Sequence, residues 1–302
     1  MSPRRLKSYL MLLGVAVLWG AASPVIKFTL QGIDPLPFLS YRFLIAGIFS
    51  IIFFSFKGFR LPKRKSALAL TLLYGLLTVP LALGLLFTGL DQSTVLDLTL
   101  IGAIGPMIVT AGAAFLFRDK ITHQEKTGIV IVLIGVFINS FYPLFGDGAE
   151  ARLTGNLYLL AFLLADSSGI LVAKRAVQLK VKSATLTNFA FILGALIIIP
   201  ITAFIYGPGN LFTQIQSLPL KYHLGVWYMA LLSGSLAYFL YVRGQRSIEA
   251  SEAVLFNYLQ PLFTIPLALF WLGEKLSLSF IAGALIIALG LLIAEYKQSL
   301  AR

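Results

Sequence analysis

Asp166 stands alone in the apolar run LLADSSGILVAK, and a carboxylate among leucine, isoleucine and valine calls for a reason. An ionisable side chain inside a bilayer costs roughly 2.5–3.5 kcal/mol on insertion scales. Asp166 could exchange protons and couple solute movement to a proton gradient. Its structural alternative is a partner for Arg42, or an acid bonded to Ser167 and Ser168. Trp19, Ser23 and Lys27 follow at i, i+4 and i+8, so one helix face carries an aromatic wall, a hydroxyl and a cation. Lys27 also lies close enough to a helix end to snorkel, and Arg42, roughly 9 Å inside its span at 1.5 Å per residue, could do the same. Arg42 is either a packing anchor or a contact for a substrate carboxylate.

Proline and amide side chains supply the next signal. In FNYLQPLFTIP, Pro261 removes a backbone donor and frees a carbonyl, which leaves Asn257 and Gln260 to satisfy it or to line a cavity. Pro106, in IGAIGP, stands at the corresponding place earlier in the chain, and both prolines are candidate flexure points. Tyr74 and Thr78, with Tyr238, are further candidate cavity walls. No glycine-lysine phosphate loop, HExxH or GxSxG occurs, and cysteine is absent. These groups suit binding rather than catalysis: no enzyme activity, metal or cofactor is expected.

The elements that position these residues are long apolar runs. Of 302 residues 58% are hydrophobic and 12% charged, about half the charged share of a soluble domain. The runs are long enough to cross a hydrocarbon core of about 30 Å, and lipid leaves backbone groups no partner outside a helix or closed barrel. Short alternating segments of the barrel type are missing. The chain reads as an all-α polytopic membrane protein. Its ten helices lie near 8–30, 36–56, 66–88, 97–117, 126–144, 153–173, 183–206, 222–242, 249–272 and 277–296, with ends uncertain by about three residues. The amino terminus resembles a signal peptide, but its apolar run continues to Leu30 and is expected to be retained as a span.

Charge sets the expected orientation. With the amino terminus in the cytoplasm, about nineteen lysines and arginines fall on inner segments and about three, Arg152, Lys221 and Lys275, on outer ones. The net charge of +12 is thereby explained by topology, without nucleic acid as a partner. Both termini are expected inside.

The chain also repeats itself. A shift of 155 superimposes Pro106 on Pro261, Asp119 on Glu274, Lys120 on Lys275, Gly128 on Gly283 and Gly135 on Gly290. A shift of 147 places Lys27 on Lys174, Gly47 on Gly194 and Trp19 on Asp166, with a longer connection around YGPGNLFTQIQSLPLKYH absorbing the difference. Each half holds five spans, an odd number, so the halves must enter the membrane inverted, as in many carriers with a midplane site between repeats. FRDK then faces the cytoplasm and LGEK the outside. Both turns have helix-end chemistry: Gly273 suits a left-handed position after a helix, Thr122 and Glu125 form a capping box, and Ser277 can cap the last helix. The expected domains are 1–145 and 153–296, five helices each, and a short cytoplasmic tail, 297–302.

WGAASPVIK in the first helix, DPLPFLSYRFLIAG entering the second, and P…LGEKLS…G…G closing the second half resemble the EamA-type members of the drug/metabolite transporter superfamily. The RDK copy departs from the more usual glycine-glutamate turn. The resemblance spans nearly the whole chain and implies a ten-helix carrier, with many relatives similar to exporters of amino acids and small metabolites. Small multidrug carriers of that superfamily are similar in using a first-helix glutamate for cationic drugs. Here that helix has a lysine and no acid, against a lipophilic-cation substrate. The expectation is a secondary transporter of a prokaryotic inner membrane, exporting amino acids or related metabolites by alternating access, with proton coupling through Asp166. It would work on a small-molecule substrate in a lipid bilayer, as a monomer or weak homodimer. The alternatives are an exchanger of phosphorylated or other anionic metabolites using Lys27 and Arg42, and a membrane-embedded lipid-handling protein or enzyme.

Overall fold

The computed structural model describes residues 3–57, 61–117, 122–141, 149–244 and 256–295, and these are helical throughout apart from short connections. The FRDK turn, the tail 297–302 and the start of the ninth predicted span lie outside the described residues. So do the side chains of Tyr238 and Asn257. Among the described residues seven helical runs are long and apolar enough to cross a membrane, and two shorter apolar helices follow at Gln260–Phe270 and Leu278–Ala294.

The helices group into two compact units, each drawn from both ends of the chain: Met1–Phe53 with Ala195–Glu274, and Phe54–Gly194 with Lys275–Arg302. In the first unit α1 (Pro3–Gly20) and α2 (Ala22–Leu30) make one span broken by a turn at Ala21, and α3 (Pro35–Lys57) is the next. The unit also holds the second half of α10 (Ser183–Tyr206), then α11 (Pro208–Gln216), α12 (Leu220–Trp227), a π-helical segment Tyr228–Leu236, α13 (Ala237–Gly244), a 3-10 turn Phe256–Leu259 and α14 (Gln260–Phe270). Ser40 on α3 donates to Thr202 Oγ1 on α10 at 2.7 Å, both side chains being buried. The stretch expected as a plain connection contains α11, a helix opened by Gly207 at φ 80° and Pro208 at its first position. It buries only Leu211 and leaves Phe212 exposed, so it is an amphipathic helix outside the spans.

In the second unit α4 (Lys65–Leu76) passes through a π-helical segment, Leu77–Leu81, into α5 (Ala82–Gln92). The next span is broken between α6 (Val95–Gly102) and α7 (Gly105–Phe117). After it come α8 (His123–Phe141), α9 (Ala149–Gln178) and α15 (Leu278–Glu295). Helices α8 and α15 pack closely and antiparallel along glycines. A methyl carbon on Gly128 would fall 2.6 Å from the Gly290 carbonyl oxygen, and one on Gly135 would fall 2.9 Å from that of Gly283. In lipid there is no hydrophobic force between helices, so close backbone approach supplies the attraction. Asn139, fully buried, packs its Cβ beside Gly283.

The expected helix ends are formed as their residues dictate. Thr122 N–H donates to Glu125 Oε2 at 2.6 Å and Glu125 N–H to Thr122 Oγ1 at 3.2 Å, a reciprocal cap. Gly273 takes φ 69°, and Ser277 Oγ accepts from Phe280 N–H at 3.1 Å.

Candidate functional site

In the first unit the interruptions of three spans converge. The Trp19 indole N–H donates to the Ser233 carbonyl at 3.1 Å, inside the π-helical segment, and its ring lies 5.2 Å from that of Tyr241. Tyr228 O–H donates to the Leu18 carbonyl at 2.7 Å, and Thr264 O–H to the Gly20 carbonyl at 2.6 Å. A helix break leaves carbonyls without their usual donors, and these three side chains cover them. Gln260 and Pro261 open α14 at this place, with the Gln260 backbone against Gly20. Ser23 and Lys27 continue along α2, both half-buried. Arg42 is buried on α3, 6% exposed.

In the second unit Asp166 lies near the middle of α9, half-buried, on the helix that packs along α4 and α5. One turn on, Gly169 packs against Thr78 and Leu77 of the π-helical segment. The Tyr74 hydroxyl lies within side-chain reach of Thr78 and of Thr187 on α10, and within electrostatic range of the Asp166 carboxylate. Pro80 has no N–H, and the wider π-helical turn accommodates it, the Leu77 carbonyl accepting from Ala82 N–H five residues on. No side chain among the described residues of this unit forms an ion pair or hydrogen bond with Asp166. Ser167, expected as one structural partner, is buried with its hydroxyl unsatisfied. Pro106 is at the first turn of α7, directly after the break at residues 103–104.

A second polar cluster of this unit escaped sequence reasoning. Asp97, fully buried, accepts from Arg152 Nε at 2.7 Å and Nη2 at 2.9 Å, from Asn139 Nδ2 at 2.9 Å and from Ser93 Oγ at 3.2 Å. Ser93 also bonds Asn156, whose amide donates to the Ser140 carbonyl at 3.2 Å. The cluster ties the ends of α5 and α8 to the starts of α6 and α9. Its local signal was present: Thr94 caps α6 by accepting from Asp97 N–H at 3.0 Å, the N-cap spacing. Thr187 and Thr264 carried no signal, because isolated hydroxyls in apolar runs are common, and the Ser233 contact is made by a backbone carbonyl, which any residue supplies.

Apolar helices interrupted in mid-span, with polar side chains gathered at the interruptions, define a polytopic membrane protein of the carrier type. The chain matches the EamA-like transporter family over residues 6–141 and 153–296, and it belongs to that family. It is 27% identical, over 97% of its length and 94% of the relative's, to the uncharacterized transporter YyaM of Bacillus subtilis (strain 168). It is 26% identical to a probable amino-acid metabolite efflux pump of Salmonella typhimurium (strain LT2), over 92% of this chain and 91% of that one. A crystal structure at 15% identity superimposes with a TM-score of 0.62 over 96% of both chains, a likeness of fold.

Proposed function

We propose that this protein is a secondary active transporter that exports amino acids or related small organic metabolites by alternating access, driven by the proton gradient. Among the site's features, one observation carries the reading: a carboxylate, Asp166, held inside an apolar span with no ion-pair partner among the described residues of its unit, within range of Tyr74 and on a helix packed against a π-helical turn. Such a group persists in a membrane helix when it serves a pathway or a relay. The relative named as a probable amino-acid metabolite efflux pump supports the substrate class. Two inverted five-helix repeats in a prokaryotic inner membrane, both termini cytoplasmic, provide the frame. The α8–α15 packing supports that frame, because a shift of 155 turns the pair Gly128–Gly290 into Gly283–Gly135, the other pair at the same interface. Pro106 and Pro261 each lie in the first turn of a helix that resumes after an irregular stretch, which suits them as flexure points.

The test is uptake of a labelled amino-acid panel into proteoliposomes with and without a pH step. Asp166→Asn is expected to lower gradient-driven flux at least about tenfold, the effect of losing one charged contact of about 1.5 kcal/mol. Flux that keeps its full dependence on the gradient in this variant rejects the coupling role. Orientation has its own check, simplified by the absence of cysteine. A membrane-impermeant maleimide should modify Glu274→Cys in intact cells and Asp119→Cys only after permeabilisation. Equal labelling of both in intact cells rejects the inversion.

A further inference from the structure

We infer that the polar neighbourhood of Asp166 in the second unit is the subsite for a solute's charged amino group, so the carried compounds share a free primary ammonium. This rests on the transporter reading in taking the ligand to be the transported solute. The described part of this neighbourhood is rich in oxygen: the Asp166 carboxylate lies in electrostatic range of the Tyr74 hydroxyl, and the Thr78 and Thr187 hydroxyls lie within reach of Tyr74. On its own helix the nearest cations are Arg152, fourteen residues before, and Lys174, eight after, about 21 Å and 12 Å along the axis at 1.5 Å per residue. An anionic group entering here would meet like charge and no donor cation. An ammonium carries three donors and no acceptor, which suits a ring of oxygens.

The geometry also limits the ligand. Thr78 spends its hydroxyl proton on the Tyr74 carbonyl at 2.7 Å, so its oxygen faces the site as an acceptor. Gly169 packs against Thr78, and this close approach holds α9 and the π-helical turn together at the site. The aromatic ring of Tyr74 adds a face that attracts cations. Acylation of the amino group removes both the charge and two of the donors, so an N-acetyl compound should fail here even when the rest of the molecule is unchanged.

Thermal-shift and calorimetric titration of the full-length protein in detergent tests this. The probes are L-leucine, L-phenylalanine and L-threonine, their N-acetyl derivatives, and the decarboxylated amines isopentylamine and phenethylamine. Free amino acids and amines are expected to bind. The N-acetyl forms should bind at least about tenfold more weakly, the loss of one charged contact. Asp166→Asn should abolish this preference while remaining folded, and Thr187→Val should weaken binding of the amines without restoring the N-acetyl forms. Equal binding of parent and N-acetyl compounds, undiminished amine binding by Asp166→Asn, or no binding of any ammonium probe at millimolar concentration overturns the assignment. Vesicle flux separates the two ideas. Amine binding through Asp166 with no flux of any labelled probe would sink the transporter reading and leave the subsite. Flux that ignores acylation would sink the subsite and leave the transporter.

Discussion

Asp97→Ala is expected to destabilise the protein by about 3 kcal/mol, the low end of the cost of breaking a buried pair. The carboxylate is fully buried and receives four hydrogen bonds from three other elements. Its removal leaves donors of Arg152 and Asn139 without their acceptor at once, while the Ser93 hydroxyl keeps Asn156. Arg152 is about a third exposed, at 32%, so part of its charge can be rehydrated, which keeps the expected loss at the lower bound. The double variant Asp97→Ala/Arg152→Leu should recover part of the loss, since the stranded charge is gone while Asn139 remains unsatisfied. Thermal denaturation of the purified variants reads both effects. An Asp97→Ala protein as stable as the parent would show that this cluster does not hold the four helix ends together.

Gly135→Leu should damage the other tight contact of this unit. A side chain there begins 2.9 Å from the Gly283 carbonyl oxygen and 2.8 Å from Ile287 Cγ1, and neither the backbone nor the crowded branch can yield. The helices must separate, and the loss extends along the whole α8–α15 contact; overpacking of this kind typically costs 1–3 kcal/mol and occasionally more. The expected outcome is a large fall in recoverable folded protein. Gly84→Ala is the control, because a methyl at Gly84 meets nothing within 4 Å and should be tolerated. Size-exclusion profiles and expression level compare them. Equal yields of Gly135→Leu and Gly84→Ala would refute the close-packed interface.

The consequences for function run through the same contacts. If α5, α6, α8 and α9 are clamped at one set of ends by Asp97 and Arg152, those ends move together during transport, and the flexible places lie elsewhere. The breaks at Ala21 and at residues 103–104 and the π-helical segments are the natural candidates, because their backbone hydrogen bonds are already irregular.

The linear chain by itself determined that this is a polytopic helical membrane protein. Apolar runs of spanning length leave the backbone no solution other than helix, and that constraint is local to each run. Helix-end chemistry was equally legible: Gly273, Ser277 and the Thr122–Glu125 cap act within a few residues of themselves. Asp166 stood out because one charge in an apolar run is conspicuous without knowing its neighbours. Which residues meet it was decided only by tertiary structure. Tyr74, in electrostatic range of it, and Thr78 and Thr187, within reach of Tyr74, come from two other spans, and a hydroxyl in an apolar helix looks the same whether it faces lipid or another polar group. The same holds for Trp19, whose indole turned out to be engaged by a π-helical carbonyl more than two hundred residues away, 214 positions along the chain. The break at Ala21 and the π-helical segment at Leu77–Leu81 have local causes, because Pro24 and Pro80 lack the N–H that a regular helix would use there. Only the tertiary structure decided what covers the Gly20 carbonyl that Pro24 leaves open, the Thr264 hydroxyl at 2.6 Å, because that donor arrives from a distant helix.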